Sequence, residues 1–432
     1  MVSLARGMTE MFELAINPVW ATWAISALAA LGVITRPFSW PEAIWAAAGA
    51  LALLALGLIA PHAAWTGVVK GLDVYLFLIG MMLLAETARK EGLFDWLAAI
   101  ATRRAAGSPQ RLFLLVYGVG VVVTTFLSND ATAVVLTPAV AAAVKTARVK
   151  DPLPYLFVCA IIANAASFVL PISNPANLVI YGAHMPPLLQ WLPRFAIPSA
   201  LSILATYFVL RWTQLKSLKA DTVAEDVETP KLSPGGKLAG AGIGLTAAAL
   251  LSASAFDIQL GAPTAACGVL TAVAVLIAKR SSPWDILKDV SWSVLPLVAG
   301  LFVLVEALDQ TGLIRELGDV LRAGAQASAS GAAWAAGIIV AFACNLMNNL
   351  PAGLIAGNAV QASGAADRTT SAILIGVDLG PNLSVTGSLA TILWLNALRR
   401  EGLGVDAWSF LKIGLLVMPP ALLLAIGGLF VL

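Results

Sequence analysis

The chain has 432 residues, of which 59% are hydrophobic and 12% are charged. A soluble domain carries about 25% charged residues, so this composition excludes a soluble globular protein. Its 26 basic and 24 acidic residues leave a formal net charge of +2, which offers no nucleic-acid-binding surface. The apolar residues come in long runs and do not alternate over short segments, which excludes a β-barrel. The composition therefore predicts an all-α, multi-pass membrane protein.

Motifs for metals, cofactors and enzymatic chemistry are missing from the sequence. The two histidines, His62 and His184, are far apart and match no metal-ligand spacing. Cys159, Cys267 and Cys344 form no Cys-x-x-Cys pair, and no Walker A loop is present. No cleavage site follows the first residues, so we expect the N-terminus to stay in the mature protein. We expect no metal, no cofactor and no enzymatic activity.

The predicted apolar elements form two halves of similar order, separated by a polar stretch. Residues 221–237 contain several acidic residues and prolines, which is typical of a solvated linker. We therefore divide the chain into a first repeat (1–214), a cytoplasmic linker (215–236) and a second repeat (237–432). In chain order, the elements of the first half are 18–35, 43–60, 72–87, 112–127, 131–145, 153–183 and 194–213. Those of the second half are 237–256, 263–279, 292–308, 331–347, 350–363, 369–399 and 408–432.

Individual residues also repeat between the halves. A shift of 220 places residues 77–97 on residues 297–317, and Glu86 then falls on Glu306. Matching glutamates inside apolar runs are harder to obtain by chance than matching leucines, so an internal duplication is the better interpretation. A shift of 219 also aligns two polar pairs, Asn129-Asp130 and Asn348-Asn349.

Four polar interruptions break the apolar pattern, two in each half. Residues 127–130 and 346–351 lie between segments of roughly 13–17 residues, too short to cross a bilayer comfortably, which predicts two re-entrant hairpins. Residues 171–177 and 378–384 interrupt longer stretches, and their prolines or glycine indicate an unwound middle of a spanning helix. Matched interruptions in two halves are the best sequence indication of a transporter binding site.

The charge distribution suggests an orientation. Five crossings per half is an odd number, so the sequence predicts two inverted-topology repeats, each with a re-entrant hairpin and a broken helix. Nineteen basic residues then fall on one side of the membrane and six on the other. The side rich in basic residues is expected to be cytoplasmic, with both termini outside. The six basic residues on the outer side are Arg6, Lys70, Arg194, Arg315, Arg322 and Arg368.

Three segments carry a resemblance to a known family. Residues 127–140 (LSNDATAVVLTPAV), 166–182 (ASFVLPISNPANLVIYG) and 376–395 (GVDLGPNLSVTGSLATILWL) resemble the arsenical pump membrane proteins. This ArsB family belongs to an ion transporter superfamily. The resemblance implies export of arsenite and antimonite through the inner (plasma) membrane in exchange for protons. It also implies that a cytoplasmic ATPase can associate, with the linker accessible to it, and it leaves a homodimer open.

The interruptions supply the predicted substrate site. Arsenite is mainly the uncharged trihydroxide at neutral pH, so its site needs hydrogen-bond donors and acceptors, and asparagine supplies both. The alternative is that these side chains only cap bent helices, and we expect the three cysteines to serve as packing residues. The predicted substrate-binding residues are Asn129, Asp130, Ser173, Asn174, Asn177, Asn348, Asn349, Asp378, Asn382 and Ser384.

Coupling to protons requires a group that titrates within the membrane. Asp130 and Asp378 are acids inside two of the interruptions, where charge is costly unless it is paired or protonated. Each could alternate between protonated and ionised forms as substrate binds and leaves; the alternative is a carboxylate at a broken-helix end. The duplicated Glu86 and Glu306 are expected to be structural first, with Glu86 a second-rank proton site.

Two other functions compete with this prediction. A sodium-coupled carrier of an anion, such as a dicarboxylate, would also suit asparagine-rich hairpin tips. However, no Lys or Arg lies inside the four interruptions, and Asp378 would repel an anion. An intramembrane protease is the second alternative, but the sequence lacks an His-Glu-x-x-His motif and a paired aspartyl motif.

Overall fold

The computed structural model describes residues 17–182, 185–224 and 230–431. All regular secondary structure in these ranges is helical, which confirms the predicted all-α class. Three features of the sequence analysis lie outside these ranges: Arg6, His184 and the acidic linker residues Glu225, Asp226 and Glu228.

We number the helices in chain order. The first half contains α1 (Pro18–Thr35), α2 (Glu42–Ala55), α3 (Pro61–Lys70), α4 (Leu72–Lys90), α5 (Leu93–Arg104), α6 (Pro109–Phe126), α7 (129–146, with a π-helical turn), α8 (Leu153–Ala165), α9 (Pro175–Tyr181), α10 (Leu188–Thr213) and α11 (Leu215–Ala220). The second half contains α12 (Pro234–Ala255), α13 (Gly261–Lys279), α14 (Trp284–Leu287), α15 (Val294–Gln310), α16 (Leu313–Ala327), α17 (Ala329–Met347), α18 (Asn349–Ser363), α19 (Asp367–Leu379), α20 (Leu389–Arg400) and α21 (Ala407–Gly428).

Polar side chains cap the N-termini of many of these helices. Ser108, for example, accepts a hydrogen bond from the backbone N–H of Arg111, and Pro109 occupies the first helical position. Such a cap satisfies a backbone donor that the helix cannot satisfy itself, and proline fits there because it has no donor to lose. The same kind of side-chain cap is formed by Asn17, Ser233, Ser328 and Asp406 at the starts of α1, α12, α17 and α21.

The two repeats have the same order of helices, and equivalent helices pack reciprocally across them. Helix α4 of the first repeat packs against α13 of the second, and α15 of the second packs against α2 of the first. In the same way, α9 packs against α18, and α20 packs against α7. This reciprocal packing agrees with the internal duplication inferred from the sequence.

The helices form two bundles, and few contacts join one bundle to the other. The frame bundle contains α1–α4 and α12–α15, where α4–α13 and α15–α2 are the main packed pairs. The core bundle contains α6–α11 and α17–α21, where α17 packs against α19 and α10 against α21. The hairpins and the broken helices therefore all belong to the core bundle.

The helix lengths fit a multi-pass membrane protein. Seven described helices are long and apolar enough to cross a bilayer, or up to nine if two bent pairs each count as one span. The bent pairs are α3–α4, at 46°, and α15–α16, at 73°. The broken helices α8–α9 and α19–α20 fall outside this criterion because each half is short. When they are counted as spans, and α6 and α17 as hairpin arms, each repeat has five crossings.

The sequence missed α3, α5 and α16, and part of the predicted linker is helical. Helices α5 and α16 are amphipathic arms that follow α4 and α15 and pack on the hairpin of their own repeat. Their mixed composition hides them from a search for apolar runs. The predicted linker is partly ordered: residues 215–220 are helical, Leu218 is fully buried, and Pro234 already begins α12.

Candidate functional site

The first broken helix unwinds between α8 and α9. The buried side chain of Asn177 closes this segment, because its Nδ2 donates to the carbonyl oxygens of Ser167 at 3.0 Å and Pro171 at 3.3 Å. Asn174 caps α9 by accepting a hydrogen bond from the backbone N–H of Ala176 at 3.0 Å. Carbonyl groups freed by an unwound helix need such partners at membrane depth. Asn177 therefore has the capping role that the sequence analysis weighed as its alternative.

The second broken helix is closed from a neighbouring helix. Asn345, on α17, donates from Nδ2 to the carbonyl oxygen of Gly380 at 3.0 Å. The Ser384 hydroxyl donates to Asn345 Oδ1 at 2.6 Å, and the Thr386 hydroxyl donates to the Asn345 carbonyl at 3.0 Å. The side chain of Ser384 is therefore hydrogen-bonded to α17, an arm of the second hairpin. The sequence analysis missed Asn345, although an amide inside an apolar helix was a usable signal.

The two broken helices meet in a buried polar cluster. Asn174 Nδ2 donates to Asp378 Oδ1 at 2.6 Å, and Asn164 Nδ2 donates to Asn382 Oδ1 at 3.0 Å. Asn382 in turn donates to the carbonyl of Ile161 at 3.0 Å. Asn164, Asp378 and Asn382 are 0% exposed and Asn174 is 2% exposed, so all four are shielded from solvent. We call these four residues the crossing cluster.

The crossing cluster contains one acid and three amides. Asp378 Oδ2 accepts no well-formed hydrogen bond from the described residues, although the carboxyl group also interacts with Ser167. Asn164 and Asp378 occupy equivalent places, because each is the next-to-last residue of the first half of its broken helix. The two repeats therefore differ at this position by a titratable group. Asn164 was missed by the sequence analysis because no turn residue marks it within α8.

The tip of the first hairpin docks on the unwound segment of its own repeat. Ser128 and Asn129 cap the returning helix, with Asn129 Oδ1 accepting from the backbone N–H of Asp130 at 2.9 Å. The buried Ser173 hydroxyl donates to the carbonyl of Thr125, on the entering arm, at 2.9 Å. Ser173 thus joins the unwound segment to the entering arm of the hairpin, while Asn129 caps the returning helix at its tip.

The tip of the second hairpin docks in the same way. Asn348 has a φ of 74°, in the left-handed region, and its side chain caps α18 by accepting from the backbone N–H of Leu350 at 3.4 Å. The backbone N–H of Asn349 donates to the carbonyl of Gly387 at 2.9 Å. Asn348 and Asn349 are buried, and neither forms a side-chain hydrogen bond with the crossing cluster among the described residues.

Asp130 lies apart from Asp378, on the crevice between the two bundles. It lines a small cavity of about 70 Å³ together with Glu86, Asp289 and Pro175. Asp130 forms no ion pair with the described residues. Glu86, by contrast, accepts two hydrogen bonds from Arg89, at 2.6 and 2.8 Å. Because Pro175 follows Asn174 directly, this cavity lies next to the crossing cluster. We call this end of the crevice the narrow mouth.

The opposite end of the crevice is open. Two adjoining cavities of about 550 and 480 Å³ share Asp73 and the end of α9. Lys70 pairs with Glu306 at 2.7 Å, and Arg194 pairs with Asp367 at 2.5 Å. We call this end the wide mouth. Its lining holds two cationic side chains, Lys70 and Arg194, and four carboxylates, Asp73, Asp257, Glu306 and Asp367.

The cysteines are spread over three helices. Cys159 and Cys344 are buried in α8 and α17, and Cys267 is partly exposed on α13. Within the described part of the chain, no group of three His, Cys, Asp or Glu side chains is placed to hold a metal ion.

A family model and several known proteins match the chain. The model described as "Citrate transporter" (CitMHS) matches residues 18–381. An arsenical pump membrane protein of Escherichia coli strain K12 is 27% identical over 375 residues, covering 81% of this chain and 84% of that protein. The corresponding protein of Yersinia enterocolitica is 26% identical over 365 residues, with the same coverage. The predicted resemblance to arsenical pump membrane proteins is therefore confirmed.

A solved structure shares the fold. The YdaH transporter of Alcanivorax borkumensis, described as having an unusual topology, superposes with a TM-score of 0.56 at 15% sequence identity. The match covers 85% of this chain and 86% of that one. The chain is thus a multi-pass membrane protein with the fold of a known transporter.

Proposed function

The chain belongs to the citrate transporter (CitMHS) family, and we propose that it exports arsenite and antimonite in exchange for protons. The crossing cluster carries this proposal. It offers amide donors and acceptors from both repeats and contains no Lys or Arg. Such a site suits an uncharged trihydroxide, which exchanges hydrogen bonds with amides and needs no counter-charge.

The proposed binding residues fall into two groups, those that contact the substrate and those that support the residues in contact. Asn174, Asp378 and Asn382, joined by Asn164, would contact the substrate once the cluster opens. Their neighbours at the hairpin joints would hold the two unwound segments in place by their hydrogen bonds, since a site positioned by supported backbone loses less entropy on binding. These supporting residues are Asn129, Ser173, Asn177, Asn348, Asn349 and Ser384.

Asp378 and Asp130 are the proposed proton carriers. Asp378 is fully buried and its Oδ2 accepts no well-formed hydrogen bond from the described residues, and Asp130 lines the crevice without a cationic partner there. An unpaired carboxylate inside a membrane favours its protonated form. One elementary charge that enters down about 100 mV supplies about 2.3 kcal/mol, which is enough for an outward gradient somewhat above tenfold. Glu86 stays second in rank because Arg89 neutralises it.

The orientation and partners complete the proposal. The narrow mouth would face the cytoplasm and the wide mouth the outside of an inner (plasma) membrane protein, as the distribution of basic residues indicates. Residues 1–214 and 237–432 would be the inverted repeats, with the 215–236 linker on the cytoplasmic side. That linker would be the contact for an arsenite-stimulated ATPase, and the frame bundle would provide the surface for a homodimer.

A sodium-coupled carrier of an anion is the second candidate, favoured by the description of the matching family. The charge of the wide mouth argues against it, because four carboxylates face two cationic side chains that are already paired. An anion such as citrate would be repelled there and would find no positive charge in the crossing cluster.

The test is arsenite uptake into everted membrane vesicles with an imposed pH gradient. We expect accumulation that a protonophore abolishes and that does not require sodium. Asp378→Asn and Asp130→Asn are each compared with Asp319→Asn, which removes an exposed surface carboxylate that pairs with Arg322. We expect at least one of the Asp378→Asn and Asp130→Asn variants to retain exchange while losing gradient-driven accumulation, and the control to be unchanged. Sodium-dependent uptake, or citrate uptake without arsenite uptake, would contradict the proposal.

A further inference from the structure

Two apolar grooves lie side by side on the surface that α5, α6 and α12 form. The outer groove, about 490 Å³, lies between the arm α5 and the hairpin helix α6, with Leu97, Leu114 and Gly118 in its lining. The inner groove, about 470 Å³, lies between α5, α6 and α12, and Gly244 forms part of its wall. The two share the side chains of Leu97 and Val122 and are separated by them.

These grooves are open to the bilayer and are not sealed by protein. Leu114 is 50% exposed and Val122 is 54% exposed, although both lie on a helix of spanning length. A Cβ added to Gly118 or Gly244 would meet no atom within 4 Å, so the space beside both glycines is free. Apolar space of this kind at membrane depth is filled by hydrocarbon, because water has no polar partner there.

Basic side chains stand at one end of the outer groove. Arg111, in the first turn of α6, is three, seven and eleven residues before Leu114, Gly118 and Val122, a spacing that places all four on one face of the helix. Arg104, the last residue of α5, is exposed and is joined to α6 by the short connection 105–108. Neither Arg104 nor Arg111 forms an ion pair with the described residues.

The length of this stripe matches one leaflet of a bilayer. At about 1.5 Å per residue, Arg111 and Val122 are about 16 Å apart along the axis of α6. Half of a hydrocarbon core of about 30 Å is about 15 Å. A lipid whose phosphate lies at the arginines would therefore place its acyl chains along both grooves within its own leaflet.

We propose that the two grooves and the Arg104–Arg111 pair form a binding site for one anionic glycerophospholipid, with an acyl chain on each side of the Leu97–Val122 ridge. The arginines supply the charge complementarity, since the guanidinium group bonds phosphate oxygens in a bidentate manner. The inner groove lies where the core bundle meets α12 of the frame bundle. The lipid would thus line the boundary between the two bundles.

Native mass spectrometry of the purified, delipidated protein tests this site. Phosphatidylglycerol and phosphatidylcholine with identical acyl chains are added back separately, and the retained lipid is counted. We expect the wild-type protein to retain one phosphatidylglycerol about thirtyfold more tightly than phosphatidylcholine, since two basic residues near a bilayer surface together contribute about 2 kcal/mol toward an anionic lipid. We expect the double variant Arg104→Gln, Arg111→Gln to lose this preference.

Two further variants separate the grooves from the charges. Gly118→Trp fills the outer groove, and we expect it to weaken retention of both lipids. The controls are Arg399→Gln with Arg400→Gln, which removes two basic residues at the end of α20, and Leu415→Trp, at a side chain that is 52% exposed. Both should leave retention unchanged. Equal retention of the two lipids by the wild-type protein, or unchanged retention in the Arg104–Arg111 and Gly118 variants, would overturn the proposal. None of these readouts depends on arsenite transport.

Discussion

The buried asparagines of the core bundle differ in where their hydrogen bonds go. Among the described residues, Asn177 donates only to carbonyls of its own unwound segment, whereas Asn174 donates across the repeats to Asp378. Local bonds stabilise a bent helix in every state of the molecule. Bonds across the repeats depend on how the broken helices lie against each other. The residue type is the same at both positions, and only the partner distinguishes the supporting role from the proposed binding role.

This distinction predicts different consequences for two alanine variants. Asn177→Ala leaves buried carbonyls without donors, so we expect the protein to lose about 1–3 kcal/mol of stability. Its melting temperature in detergent should fall, while the folded fraction loses less affinity for arsenite than the Asn174→Ala variant does. Asn174→Ala should weaken arsenite binding with a smaller loss of stability. Melting curves and arsenite-binding isotherms of the two purified variants test this prediction. Equal losses of melting temperature and of arsenite affinity in the two variants would contradict separate roles.

At the scale of helices, the sequence predicted the features with strong local signals. Paired interruptions marked the two hairpins and the two broken helices, because proline, glycine and asparagine break an apolar run visibly. Helices α5 and α16 were not predicted, since an amphipathic helix lacks such a run. Asn164 and Asn345 escaped because their importance comes from partners 218 and 39 residues away in the chain. No local pattern reports such a contact.

The α4–α13 crossing provides a prediction at this scale. Gly80 and Gly268 let the two helices approach backbone to backbone, and a Cβ on Gly80 would overlap the carbonyl of Thr264. We expect Gly80→Ala to destabilise the frame bundle by about 1–3 kcal/mol, as overpacking does. The control is Gly244→Ala, which introduces the same group into open space and should be neutral or stabilising by up to about 1 kcal/mol. Equal melting temperatures for the two variants in size-exclusion assays would show that this crossing tolerates a methyl group.

At the scale of the whole molecule, the two repeats match in order but the crevice between the bundles is asymmetric. The narrow mouth beside Asp130 holds about 70 Å³, whereas the cavities of the wide mouth hold about 550 and 480 Å³. A symmetric pair of repeats has no intrinsic reason to open at one end only. In this structure a cavity lies between α9, α18 and the frame bundle near Glu306. A transporter must also visit an arrangement that is open at the other end, because its site has to reach each side in turn.

Cysteine labelling can identify which mouth is accessible in the resting protein. In a background with Cys159, Cys267 and Cys344 replaced, Asn358→Cys lines the wide mouth and Val134→Cys lines the narrow mouth. Both native side chains are half-buried, so a difference in reactivity reflects how accessible each mouth is to the reagent and not a difference in side-chain exposure. With the wide mouth outside, we expect a membrane-impermeant maleimide to label Asn358→Cys in intact cells and to leave Val134→Cys unlabelled in everted vesicles. Labelling of Val134→Cys alone would mean that the resting protein adopts the opposite arrangement. Labelling of Asn358→Cys only in everted vesicles would reverse the proposed orientation, because the wide mouth would then face the cytoplasm.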